Sequence, residues 1–132
     1  MPPMEEKRFR EWMIVKETMH NQHIIYNIKE GDIWWCAIGE NVGIEINGKN
    51  DTFSRPVLIM RKLSRYGFLG IPLTSQLHTG DWYAPFDFKG KKQYAAMAQI
   101  RVLSVSRLYK RMGAVPNSDL ELVRTCFRKL YM

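Results

Sequence analysis

The residues best placed to do chemistry lie at the two ends of one apolar pair of segments. Arg55 opens the run Arg55-Pro56-Val57-Leu58-Ile59-Met60, and Thr74-Ser75-Gln76 closes the run that starts at Phe68. Each run has strand length, and the charged segment 61–67 between them reads as a turn. Folded antiparallel, the pair brings Arg55 beside Thr74 and Ser75. A fixed cation and two hydroxyls at one rim of a sheet make a phosphate site, because a guanidinium offers several donors to phosphate oxygens and stays charged. The competing reading is a strand-end arginine facing water and two hydroxyls satisfying local backbone groups.

Other chemistry is sparser. His20 and His23 have helical metal spacing, but no second ligand pair follows, and they read as surface histidines. Cys36 and Cys126 lie far apart among apolar neighbours and read as reduced, buried thiols. No metal or other cofactor is expected.

Elements must position these residues. Apolar groups at roughly helical spacing predict a helix over residues 4–20. Ile33-Trp34-Trp35-Cys36-Ala37-Ile38 reads as a core strand. A long polar loop, 39–54, follows, with a turn expected at Asn47-Gly48; loops of this length inside a small domain usually carry function. Residues 82–88 form a third strand, which Pro85 confines to an edge or a bulge. Residues 93–105 read as one strand and 107–115 as a short closing strand. A last helix follows, with Ser118 and Glu121 as its capping box. The 132 residues suit one domain large enough for a core. A small, strongly bent antiparallel barrel with terminal helices is the simplest architecture.

Charge points to the partner. The net charge is +7, and residues 55–132 alone carry fourteen basic and four acidic side chains, while residues 1–30 are neutral and residues 31–54 are net negative. A polyanion such as RNA or DNA suits that surface; the plainer reading is that the charge aids solubility. No apolar run approaches a membrane span, and the N-terminus lacks the features of a secretion signal, so a cytoplasmic protein is expected.

Five motifs taken in order resemble the MazF/PemK toxins. They are Gly31-Asp32-Ile33-Trp34, Gly43-Ile44-Glu45, Arg55-Pro56-Val57-Leu58, Ile71-Pro72-Leu73-Thr74-Ser75 and Ala98-Gln99-Ile100-Arg101, followed by the C-terminal helix. The resemblance covers roughly residues 29–130, which makes residues 29–132 the barrel domain and leaves residues 1–28 as a helical extension. It implies a mainly β, SH3-like barrel that forms a homodimer. It implies a sequence-specific, metal-independent endoribonuclease that cuts single-stranded RNA to 2′,3′-cyclic phosphate and 5′-hydroxyl ends. It also implies a small antitoxin whose tail occupies the RNA groove.

Carried over by position, the resemblance makes Arg55 the group that stabilises the phosphorane, Thr74 a holder of a phosphate oxygen or of the 2′-hydroxyl, and Glu45 a base or the residue that positions one. Ser75 adds a second donor beside Thr74, and Gln76 extends the same rim. Lys62, Arg65, Lys91, Lys92 and Arg101 are candidate phosphate contacts, and Trp82, Tyr83 and Phe86 candidate surfaces for stacking bases. The chain departs from the family at Ala98, where many members carry Asp or Glu. It departs again at Ala96 and Ile44, where one branch carries Arg and His. His78 is the residue available to replace a missing base, since histidine changes charge near neutral pH. Two other functions stay open: an RNA-binding regulator without strong catalysis on the same barrel, and a gyrase-binding toxin of the CcdB type.

Overall fold

In the computed structural model, residues 8–22, 26–41, 44–50 and 52–132 are described. The elements run α1 (Phe9–His20), β1 (Asp32–Ala37), β2 (Ser54–Lys62), β3 (Gly67–Thr74), β4 (Tyr83–Phe88), β5 (Lys91–Ala96), β6 (Arg101–Ser104), β7 (Leu108–Ala114) and α2 (Asn117–Tyr131). The seven strands pair antiparallel in the order β4-β5-β3-β2-β1-β7, with β6 added to β3. This is the bent β architecture expected, with a helix near each end.

β2 explains why the sheet curls. Its run Val57-Leu58-Ile59-Met60 is apolar throughout rather than alternating, and all four side chains are buried. Val57 and Ile59 face one core with Trp34, Cys36, Phe68, Leu103 and Leu108. Leu58 and Met60 face a second core with Ile33, Ile71, Phe86, Met97, Leu120 and Val123. A strand covered on both faces needs no polar side, so its apolar residues run consecutively. The second core is closed by the apolar stripe of α2, and β4 lies at the end of the sheet, where exposed Pro85 costs no inner ladder bond.

Four expectations need correction. Residues 93–105 are not one strand: a 3₁₀ turn at Met97–Gln99 divides β5 from β6. The division lets β5 pair with the end of β3 at Leu73 and Thr74 while β6 pairs with its beginning, Gly67–Gly70. Apolar content alone did not reveal the turn, because Met97 remains buried within it. Asn47-Gly48 is not the reversal in the 39–54 loop; the chain turns between Lys49 and Ser54, whose backbones exchange hydrogen bonds of 2.8 and 2.9 Å. Gly48 serves close packing instead, since a Cβ there would meet the Phe53 carbonyl oxygen at 1.6 Å.

The capping box is also absent. α2 begins two residues earlier than that box requires, with Pro116 at its N-cap and no capping side chain. Glu121 instead accepts from Arg124 at 2.5 Å, and Arg124 also donates to Glu30 at 2.8 Å, tying α2 to the turn before β1. Cys36 is buried as expected, but Cys126 is only half-buried, because it lies toward the edge of the α2 stripe. The described part of the first helix starts at Phe9. Residues 1–7, His23, Gly43 and Asp51 lie outside the described residues, as do the expectations that fall on them.

Candidate active-site groove

The hairpin performs the juxtaposition its sequence suggested. β2 and β3 pair with Val57 opposite Pro72, and two residues further on Arg55 reaches the end of β3 at Thr74. Both residues line two recesses of about 230 Å³ each, one on either side of the strand ends. A third, larger recess of about 520 Å³ continues from the first, sharing Ile44, Ile46 and Gln99 with it. Together they form a groove across one end of the barrel.

Arg55 is aimed by the loop before it. Its Nε donates to the Asn47 carbonyl oxygen at 2.6 Å, which fixes the plane of the guanidinium. The loop is in turn held by side chains. Asn41 donates through Nδ2 to the carbonyls of Ile38 (3.0 Å) and Ile46 (2.7 Å), and Asn47 Oδ1 accepts the Asn41 N–H at 2.7 Å. The Ile46 N–H donates to Gln99 Oε1 at 3.3 Å, linking the loop to the 3₁₀ turn on the opposite wall.

Thr74 is buried at the end of β3, and its hydroxyl oxygen accepts the Gln76 N–H at 3.2 Å. That bond turns the chain out of the sheet, and a hydroxyl that accepts one bond keeps the capacity to donate another. Gln76 and His78 line the first recess with Arg55 and Thr74. The His78 ring stacks on Tyr83 with centroids 4.1 Å apart and planes 7° from parallel, and meets Tyr94 edge-on at 6.3 Å. The stack fixes the imidazole in the recess rather than leaving it as a solvated turn residue.

Glu45 and Arg101 line the larger recess, together with Ala98. Ser75, Lys49, Lys91 and Gln93 line the recess on the far side of Arg55, beside Trp35. The remaining candidates lie elsewhere. Lys62 is at the opposite end of the hairpin, roughly 20 Å along the strand from Arg55, and its backbone N–H bonds Glu30. Arg65 sits over the Tyr66 ring at that same far end. Trp82 packs edge-on against Tyr131 of α2, with centroids 5.5 Å apart. Phe86 is buried in the core under α2. Lys92 pairs with Asp87 across the β4–β5 hairpin at 3.3 Å.

Ala96 and Ala98 both face the groove, the former beside Arg55 and the latter beside Glu45. Among the described residues, no Asp or Glu lines either recess that contains Arg55. Also among the described residues, no group of three or more His, Cys, Asp or Glu side chains clusters in a way that could hold a metal ion. Among the described residues, no helix is long and apolar enough to cross a membrane.

A family model for the PemK-like, MazF-like toxins of type II toxin–antitoxin systems matches residues 29–131. The chain belongs to this family. Comparison with curated proteins returned no match. Among solved structures, MazF from Deinococcus radiodurans superposes with a TM-score of 0.63 at 19% identity, covering 80% of this chain and 96% of that one. An endoribonuclease in complex with its cognate antitoxin, from a mycobacterial species, gives 0.58 at 16% identity, covering 78% and 93%. The Mycobacterium tuberculosis toxin MazF-mt6 gives 0.56 at 15%, covering 76% and 95%. Identities this low carry the fold and nothing finer.

Within this PemK-like fold, sequence reasoning missed Gln99 and Gln93. Glutamine has no fixed chemistry to flag it, and both reach the groove only because the 3₁₀ turn and the end of β5 present them there. It also missed the Asn47 carbonyl, a backbone group with no signature in residue type.

Proposed function

We propose that this PemK-like toxin is an endoribonuclease that cleaves single-stranded RNA at a short sequence, without a metal, and is neutralised by a cognate antitoxin. The observation that carries the reading is the shared recess of Arg55, Thr74 and His78. In that reaction the RNA 2′-oxygen bonds to phosphorus, the phosphorus–O5′ bond breaks, and a 2′,3′-cyclic phosphate and a 5′-hydroxyl result.

Each residue has a part. Arg55, held edgewise by Asn47, donates to the non-bridging oxygens as negative charge builds on the phosphorane. The Thr74 hydroxyl holds a phosphate oxygen or orients the 2′-hydroxyl. The 2′-hydroxyl proton passes to an imidazole nitrogen of His78, and the departing 5′-oxygen takes a proton from water in the open groove. Glu45 sits farther along, where with Arg101 it orients the neighbouring nucleotide. Ser75, Gln76 and Lys91 hold the strand on either side, and Trp35 and Tyr83 offer aromatic faces. In place of the Asp or Glu of many relatives, Ala98 leaves the proton-accepting work to His78. Lys62 and Trp82 take no part. The protein acts as a cytoplasmic homodimer, which its mass in solution checks.

The test uses the full chain and an unstructured RNA library in excess EDTA. Wild-type protein yields cyclic-phosphate ends. Arg55→Ala loses about 10²–10³-fold in rate, the usual cost of removing one such donor. Arg55→Lys loses a similar factor, because an ammonium cannot bond the Asn47 carbonyl and grip a phosphate in a planar fork. A second reading, RNA binding without cleavage, is favoured by Ala96 and Ala98; retained RNA that stays intact across the library establishes it and defeats the first.

A further inference from the structure

α1 lies outside the segment that matches the family, yet it reaches the loop that aims Arg55. Trp12 is its one buried residue and is 5% exposed. With Ala37 and Phe53 it forms a separate core cluster, its ring 5.7 Å from that of Phe53 and tilted by 53°. The guanidinium of Arg107 covers it at 5.6 Å from the ring centroid and also donates to the Ala37 carbonyl at 3.1 Å. Arg8, just before the helix, extends the contact: it lies 4.7 Å over the Phe53 ring and donates to the Asn50 carbonyl at 3.4 Å.

The indole occupies a notch that only glycine leaves open. A Cβ on Gly39 would stand 2.1 Å from Trp12 Cε2, and Gly39 has φ +89°, a conformation side chains rarely adopt. Gly39 ties two parts of the groove wall together. Its N–H bonds the Phe53 carbonyl at 3.1 Å, and its own carbonyl accepts the Gly48 N–H at 2.8 Å. The residue before Gly48 is Asn47, whose carbonyl holds Arg55. A continuous line of contacts thus runs from the helix to the guanidinium, while no residue of α1 lines any of the three recesses.

We propose that Trp12 is a positioning residue for Arg55: by filling the Gly39 notch, the N-terminal helix clamps the backbones of Gly39, Gly48 and Phe53 so that the Asn47 carbonyl stands where it orients the guanidinium. The helix buttresses the groove from behind rather than covering it. The inference rests on the reading of Arg55 as the phosphate-binding group. Its reach into catalysis follows from how steeply rate depends on placement, where a shift of about 1 Å can cost about a hundredfold.

The experiment compares wild type, Trp12→Ala and Trp12→Phe in the full chain. Hydrogen exchange by NMR follows the Gly48 amide and the Arg55 Nε–H, with the Val57 and Ile59 amides of β2 as internal references. Trp12→Ala is expected to speed exchange at least about tenfold at Gly48 and Arg55 Nε and to leave the references unchanged. Trp12→Phe recovers most of the protection, and guards against a variant that merely folds poorly. On RNA, Trp12→Ala lowers kcat about tenfold or more, with a smaller change in KM. Unchanged exchange at Gly48 and Arg55 in Trp12→Ala overturns the proposal, as does an equal loss across β2. A wild-type protein that binds RNA without cutting it defeats the nuclease reading alone, and the exchange result then decides the buttress by itself.

Discussion

Cys36 is fully buried in β1, and burial pushes its thiol up to about 12, with the nearby Arg107 and Arg101 guanidiniums pulling the other way. The native state therefore holds this proton more tightly than the unfolded chain does. The stability this confers is complete below about pH 9 and is lost as pH rises toward about 12, at roughly 1.4 kcal/mol per pH unit. Cys36→Ala is less stable at neutral pH because it opens a cavity, but the gap to wild type narrows from pH 9 to 11; urea midpoints at several pH values measure it. A constant gap would show that the thiol titrates alike in both states, as it would if the core opened to water. This buried thiol was legible, because apolar neighbours on a strand predict it. Arg55, Thr74 and Gln76 were legible together for a related reason, since pairing two runs antiparallel fixes which ends meet; His78 was named only as a substitute base, and its place in the recess comes from its stack on Tyr83. Trp82 and Tyr83 were both expected as stacking surfaces, and they part where the strand starts: Tyr83 turns to the groove and Trp82 to α2.

Strands and helices were legible where periodicity or run length carried them, and illegible where a backbone contact decided the geometry. The 3₁₀ turn at Met97–Gln99 interrupts apolar residues without a Gly or Pro to mark it. Gly39, Asn41, Asn47, Gly48 and Phe53 are held in the loop by carbonyls and amides that the sequence cannot display. Gly39→Ala tests how much of that loop depends on one backbone position. The substitution adds strain at a positive φ and collides with the indole, so a loss of roughly 2 kcal/mol or more is expected. Thermal unfolding measures the loss, and a red shift of tryptophan emission reports the expelled ring. A melt within a degree of wild type would mean that the helix yields at no cost and that the loop needs no support.

The charge asymmetry read from the sequence becomes a distribution in space. Arg55, Arg101, Lys49 and Lys91 all line the groove, although they come from separate parts of the chain. If a single strand of RNA engages all four, log K should fall with log salt at a slope of about −3, taking about 0.7 per neutralised phosphate. Titrations of an uncleavable 2′-O-methyl RNA at four or five salt concentrations measure the slope, and a value near zero would place the RNA elsewhere. The fold class and the family were legible at this level because five short motifs keep their order over most of the chain; the helix before them was not, since no motif extends into it. Its seat in the Gly39 notch gives the molecule a handle. Whatever pulls on residues 8–22, whether a protease, a bound partner or a fused domain, acts on the guanidinium without entering the groove. Control of that kind is noncompetitive, so no excess of RNA relieves it.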